Sequence, residues 1–233
     1  MEACHQSDVF VSLKQKELKN ENQWKSGACD RCGARERAWH CLAYGKGGGD
    51  IAVVDINTDT TGDVAAEIEE PGRKATTFRT DVSDRAEVYA AVEHAEKTVG
   101  GLDIMVNNAG IAQVDPIADV TPEDVKLILK INIQGGLRGI QAAAAKFKSL
   151  GHKGKIINVS SIAGHDGYET QGVCSATTFA VRALTQAAAR EYASDGVSVN
   201  ADCPGIVGTD MWVGIDRQFS ELTGPHIDEI YGK

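Results

Sequence analysis

The chain has 233 residues, enough for one sizeable core, and a formal net charge of −9, which leaves no overall basic face for nucleic acid. No apolar run nears the roughly 18 residues a bilayer demands, and the opening MEACHQSDVF lacks a basic segment followed by an apolar one. Neither membrane nor secretion is expected, and the six scattered cysteines read as reduced thiols of a cytoplasmic protein.

Composition changes near residue 50. Residues 1–49 carry eight Lys and Arg against six Asp and Glu, whereas the remainder carries sixteen against twenty-seven. No hydrophobic period runs through SLKQKELKNENQWKSGACDRCGARERAWH, so residues 1–49 are expected to be aberrant or poorly structured. Cys29, Cys32, His40 and Cys41 offer a zinc-like set, but adjacent His40 and Cys41 would strain a tetrahedron, and no metal is expected.

From Asp50 the pattern is regular. IAVVDI (51–56) reads as a buried strand, followed by a helix around DVAAEIEE; TTFRTDV (76–82) is a second strand and RAEVYAAVEHAEKTV (85–99) an amphipathic helix. DIMVNNAG (103–110) is strand then loop, and 122–147 one long helix with Pro122 in its first turn. KIINVSS (155–161) is a strand, 177–193 a helix, and VSVNADCPG (197–205) a strand ending in a loop. Apolar strands alternating with helices imply an α/β fold, a doubly wound parallel sheet with helices on both faces. The core is expected over 50–212, with 213–233 as a lid or tail.

In such sheets ligands bind beyond the carboxyl ends of the strands. The groups there are Asp55, Asp81, Asn107–Gly110, Ser160–Ser161 and Pro204–Gly205. Each is an ordinary turn residue by itself; five strand ends carrying small or polar groups form a stronger signal.

Together these residues resemble the short-chain dehydrogenase/reductase family, whose fold is Rossmann-like. NNAG (107–110) is similar to the family's loop beside the adenine ribose, Asn132 to its helix asparagine, and PGIVGT (204–209) to the loop embracing nicotinamide. Ser161 stands thirteen residues before Cys174, the family's Ser-to-Tyr spacing. GHKGKIINVSSIAGHDG, FAVRALTQAAARE and CPGIVGTDMW resemble the diacetyl/acetoin reductase, or 2,3-butanediol dehydrogenase, branch. The resemblance implies hydride transfer between a nicotinamide cofactor and a small carbonyl or alcohol substrate. It assigns Asp55, Asp81, Val82, Asn108, Ala109, Gly110, Pro204, Gly205, Val207 and Thr209 to the cofactor. A carboxylate at Asp55 accepts hydrogen bonds from ribose hydroxyls and repels a 2′-phosphate, and Ile56 rather than Arg follows it; NAD is expected over NADP.

Three features depart from the family. No TGxxxGxG phosphate loop precedes a helix, and GKGGGD (45–50) directly precedes a strand instead. Read one nucleotide later, Trp24–Lys25 and Trp39–His40 each force glycine, and the codons between accommodate the missing strand and loop. Residues 1–49 are therefore expected to be an out-of-frame rendering of the family's N-terminus. The catalytic YxxxK is also absent: Ser161 and Asn132 are retained, but Cys174 stands at the Tyr position and Thr178 at the Lys position. A thiol is acidic enough to replace a phenol but too short to reach the same atom, and Thr178 brings no positive charge. The chain is expected to be an impaired oxidoreductase; the alternative is a non-catalytic pseudoenzyme binding a metabolite or protein partner. The last departure is the C-terminus, where the family's further helix and final strand do not follow. Relatives form homo-oligomers through that surface, and this chain is expected to lack it.

Overall fold

The computed structural model describes residues 4–6, 39–59, 61–69, 72–208 and 210–224. In chain order these form β1 (Cys4–Gln6), α1 (Trp39–Lys46), β2 (Ile51–Asp55), α2 (Thr61–Glu69), β3 (Ala75–Arg79), α3 (Arg85–Val99), β4 (Ile104–Asn107) and β5 (Gly110–Ala112). There follow α4 (Pro122–Ile128), α5 (Gln134–Leu150), β6 (Lys155–Val159), α6 (Gly172–Glu191), β7 (Ser198–Asp202) and α7 (Asp210–Thr223). The doubly wound Rossmann-like arrangement is present: β2 pairs in parallel with β3, and β4, β6 and β7 form a parallel ladder with β6 in the middle. Among the described residues no strand joins β2 to β4.

Strand alternation sorts the core into two layers. Val54, Met105, Ile156 and Val199 point to the face covered by α3, α5 and α6, where Val88, Val92, Ile140, Ala143 and Phe147 meet them. Ile51, Val53, Ile104 and Val106 point the other way, against Cys41 of α1 and Ile68 of α2. A strand buried on both faces must be apolar throughout, which is why IAVVD carries no alternation.

Local signals set the ends of the helices. Asp84 caps α3 by accepting from the Ala86 and Glu87 amides, and Gly100 closes it in the left-handed conformation. Thr121 caps α4 ahead of Pro122. The long helix expected over 122–147 is divided: between α4 and α5, residues Leu129–Ile133 form a π turn that contains the site asparagine. Helix α6 starts at Gly172, earlier than its apolar pattern suggests, because the glycine-and-threonine-rich start carries little periodicity; Cys174 therefore lies in its first turn.

Helix α1 lies within 39–49, a stretch expected to be poorly structured, and its Cys41 is fully buried. Helix α7 runs across the boundary placed at 212, because Met211, Trp212, Ile215 and Phe219 form one apolar stripe. The rest of the reading-frame expectation, with Cys29 and Cys32, falls outside the described residues.

His40 and Cys41 face different surroundings. Cys41 joins the apolar core, while His40 Nε2 lies 3.7 Å from Asp202 Oδ2. Burial lowers the His40 pKa below the ordinary value, outweighing the attraction of Asp202. The unfolded chain therefore binds the proton first, and the folded state loses stability as pH falls below about 6.5. Urea midpoints at pH 7.5 and 5.5 should show a drop that flattens in His40→Gln.

Candidate active site

A cleft of about 310 Å³ opens at the carboxyl ends of β4, β6 and β7. Its floor is Asn108–Ala112 and Ser160–Ile162; one wall is the start of α6, with Cys174, Thr178 and Val181, and the other is Pro204–Val207 with α7. Thus Asn108, Ala109, Gly110, Asn132, Ser161, Cys174, Thr178, Pro204, Gly205 and Val207, all singled out in the sequence, line one space. Val82 stands apart with Asn108, Ala109 and Asn132 around a neighbouring hollow of about 20 Å³. Asp55 and Asp81 line neither space, and Thr209 lies outside the described residues.

Beneath the cleft a buried polar thread fixes the strands. Asn107 Nδ2 donates to Asn158 Oδ1 at 2.7 Å, and Asn158 Nδ2 donates to Thr185 Oγ1 at 2.9 Å, tying β4 to β6 and β6 to α6. In so dry a place each missing partner would cost about 1–3 kcal/mol, so the amides hold one geometry.

The π turn gives Asn132 its role. Its Oδ1 accepts from the Ile111 amide at 2.9 Å, while Nδ2 donates to the Ile111 carbonyl at 3.0 Å and to Thr177 Oγ1 at 3.1 Å. With both amide protons engaged, the side chain braces β5 and α6 around the cleft. Ser161 Oγ accepts from the Ala163 amide at 3.1 Å, which leaves the hydroxyl proton to be donated elsewhere. A carbonyl oxygen in the cleft could receive it.

The two substituted positions behave differently. Burial pushes the Cys174 thiol pKa up, opposed only in part by a backbone hydrogen bond at Gln113, so the sulfur stays protonated at neutral pH. It packs against the apolar cluster of Ala112, Val114 and Ile215. Thr178 Oγ1 donates back to the Ser175 carbonyl at 2.8 Å, within its own helix. Neither group brings charge to the cleft.

At the carboxyl end of β2, Asp55 is buried and accepts from the Asn57 amide at 2.8 Å. Asp81 accepts from the Ser83 amide at 2.8 Å. Burial works against its charge, yet hydrogen bonds from Ser83 and the nearby Lys130 and Arg79 outweigh that and hold its carboxyl below the ordinary range. The glycine-rich GKGGG is not a phosphate cradle: it lies at the end of α1, where a Cβ on Gly45 would meet Ile68 at 3.1 Å. The Gly48 carbonyl accepts from Arg73.

The family model for short chain dehydrogenases matches residues 39–219. The chain belongs to the short-chain dehydrogenase family. It is 47% identical over 186 residues to an L-2,3-butanediol dehydrogenase of Corynebacterium glutamicum, covering 79% of this chain and 72% of that one. To a diacetyl reductase, (S)-acetoin forming, of Staphylococcus epidermidis it is 45% identical over 175 residues, covering 75% and 68%. Among solved structures, sorbitol-6-phosphate 2-dehydrogenase from Erwinia amylovora superposes with a TM-score of 0.77 at 27% identity, covering 83% of this chain and 77% of that one. The likeness to the acetoin reductase branch is thus present in this short-chain dehydrogenase's overall sequence as well as in its motifs.

Several residues of this dehydrogenase's cleft were not singled out beforehand: Met211, Ile215 and Phe219 of α7, with Tyr168 and Gln171. The α7 residues carry a readable signal, an apolar stripe at helical spacing with Trp212. Tyr168 and Gln171 sit in a loop whose sequence has no period to find.

Proposed function

We propose that this short-chain dehydrogenase descends from NAD-dependent reductases of small vicinal ketones and keeps the binding cleft while its turnover is suppressed. The observation that carries this reading is the cleft itself, where Ser161 and Asn132 are in place but the flanking positions hold a neutral thiol and a helix-bonded hydroxyl. The residues fit the ribose and nicotinamide ends of a dinucleotide: Asp55 ends β2 with a fixed carboxylate, Val82 and Asn108–Ala109 line a small hollow, and Pro204–Val207 border the cleft. When bound, the nicotinamide would supply the hydride. The chain's own part would be to orient the carbonyl through Ser161, to keep α6 in register through Asn132, and to exclude water with α7.

What is missing is the proton. A carbonyl that accepts a hydride needs a proton at its oxygen, and a positioned acid typically contributes 10²–10⁴-fold. Cys174 keeps its proton on a short side chain, and Thr178 offers no charge to tune it. The same facts favour a second reading, a non-catalytic protein that holds a dinucleotide and a small neutral metabolite without converting it.

Among the described residues, no Asp, Glu, Lys, Arg or His lines the cleft. Uncharged ligands such as diacetyl and acetoin suit it better than phosphorylated or carboxylated ones, whose desolvation would go uncompensated. The test is to titrate the full chain with NADH, following nucleotide fluorescence, and then add diacetyl. Binding without oxidation above the buffer rate is the expected result. Absence of NADH binding would remove the reading.

A further inference from the structure

We propose that the Arg79–Glu87 ion pair governs discrimination between NADH and NADPH, Arg79 being a latent ligand for the ribose 2′-phosphate that Glu87 holds away. The inference rests on the reading that a dinucleotide's ribose lies at the end of β2.

Asp55 and Arg79 are register partners on adjoining parallel strands, so their side chains leave the same face of the sheet. Neighbouring strands lie about 4.8 Å apart, well within reach of an arginine side chain. The guanidinium is turned to α3 instead, with Nη1 3.3 Å from Glu87 Oε2. The same oxygen accepts the Asp81 amide at 2.8 Å, so one carboxylate fixes both the cation and the turn after β3. Glu87 is itself placed by the start of α3, its amide donating to the Asp84 cap.

This arrangement opposes a 2′-phosphate twice. The Asp55 carboxylate repels it, and Glu87 occupies the guanidinium of Arg79, the register partner of Asp55, that could pair with it. The Arg79 side chain is 56% exposed and that of Glu87 39%, so solvent screens the pair and Glu87 withholds the guanidinium by a modest margin. A phosphate dianion is a better partner for a guanidinium than a lone carboxylate, since it accepts two parallel hydrogen bonds with more charge. Freed from Glu87, Arg79 would swing toward the end of β2 and recruit that phosphate.

The full chain, Glu87→Gln, Arg79→Gln and the double variant are titrated with NADH and with NADPH by calorimetry, with thermal melts confirming that each is folded. Glutamine retains an acceptor for the Asp81 amide while removing the charge. In Glu87→Gln the NADPH-to-NADH affinity ratio should rise about two- to fivefold, the scale of one exposed ion pair. In the double variant the ratio should return to the parental value, and Arg79→Gln alone should leave it there. An unchanged ratio in Glu87→Gln, or a gain that survives loss of Arg79, overturns the proposal while NADH binding leaves the ribose site standing. Failure of the parent chain to bind either nucleotide overturns both.

Discussion

Restoring the acid and its ammonium, Cys174→Tyr with Thr178→Lys, should raise the rate of NADH oxidation by diacetyl at least a hundredfold over the parent chain. Position 174 is in the first turn of α6 at the wall of the cleft, and position 178 is one turn further along the same wall. Residues four apart on a helix are neighbours, so a lysine there would lie beside the new phenol and lower its pKa from near 10. The cleft has about 310 Å³ to receive the ring. Cys174→Tyr alone supplies reach without the charge and should recover only part of the gain, and Thr178→Lys alone almost none, because the two act as a unit. Removing the Ser161 hydroxyl from the repaired chain should abolish the recovered rate. A repaired chain that binds NADH yet stays as slow as the parent would show that the cleft is not shaped for this chemistry.

Much of this site could be read beforehand, for a physical reason. Strand ends in a parallel sheet gather at one edge, so Asn108, Ser161 and Pro204, far apart in sequence, were placed together by topology alone. The capping of α3 by Asp84 and the chain reversal at Gly100 follow local rules, an acceptor before the first turn and a glycine after the last. The π turn at Asn132 was not legible, because LKINI fits an α-helix equally well and the widened turn is set by the bonds to Ile111 and Thr177. The start of α6 is illegible for a related reason: GVCSATT has no apolar stripe, and the turn is set by the Ser175 amide on the Gln171 carbonyl and by Cys174 against the Gln113 backbone. The state of Cys174 lay equally out of reach. Its acidity depends on the burial provided by Ala112, Val114 and Ile215, which come from β5, the loop after it and α7.

Gly139→Ala should lower stability by about 3 kcal/mol, whereas Gly136→Ala, one turn away on the same helix, should raise it by about 0.5–1 kcal/mol. A Cβ at Gly139 would lie 1.8 Å from Asn107 Oδ1. Asn107 cannot simply turn aside, because its other amide atom holds Asn158 at 2.7 Å within the core. Either the hydrogen bond breaks, at about 1–3 kcal/mol, or α5 moves off β4 and opens the packing around Phe147. Gly136 meets nothing within 4 Å, so alanine there gains helix propensity without a clash. For a chain of this size the two changes should shift the thermal midpoint by roughly −6 to −12 °C and by +1 to +4 °C. The first effect should also reach the cleft, since Asn107 adjoins Asn108 on its floor and Asn158 holds Thr185 of α6. NADH binding by the surviving folded fraction of Gly139→Ala should therefore weaken, while Gly136→Ala binds as the parent does. Equal midpoints for the two variants would mean that the buried amide thread does not set the distance between α5 and the sheet.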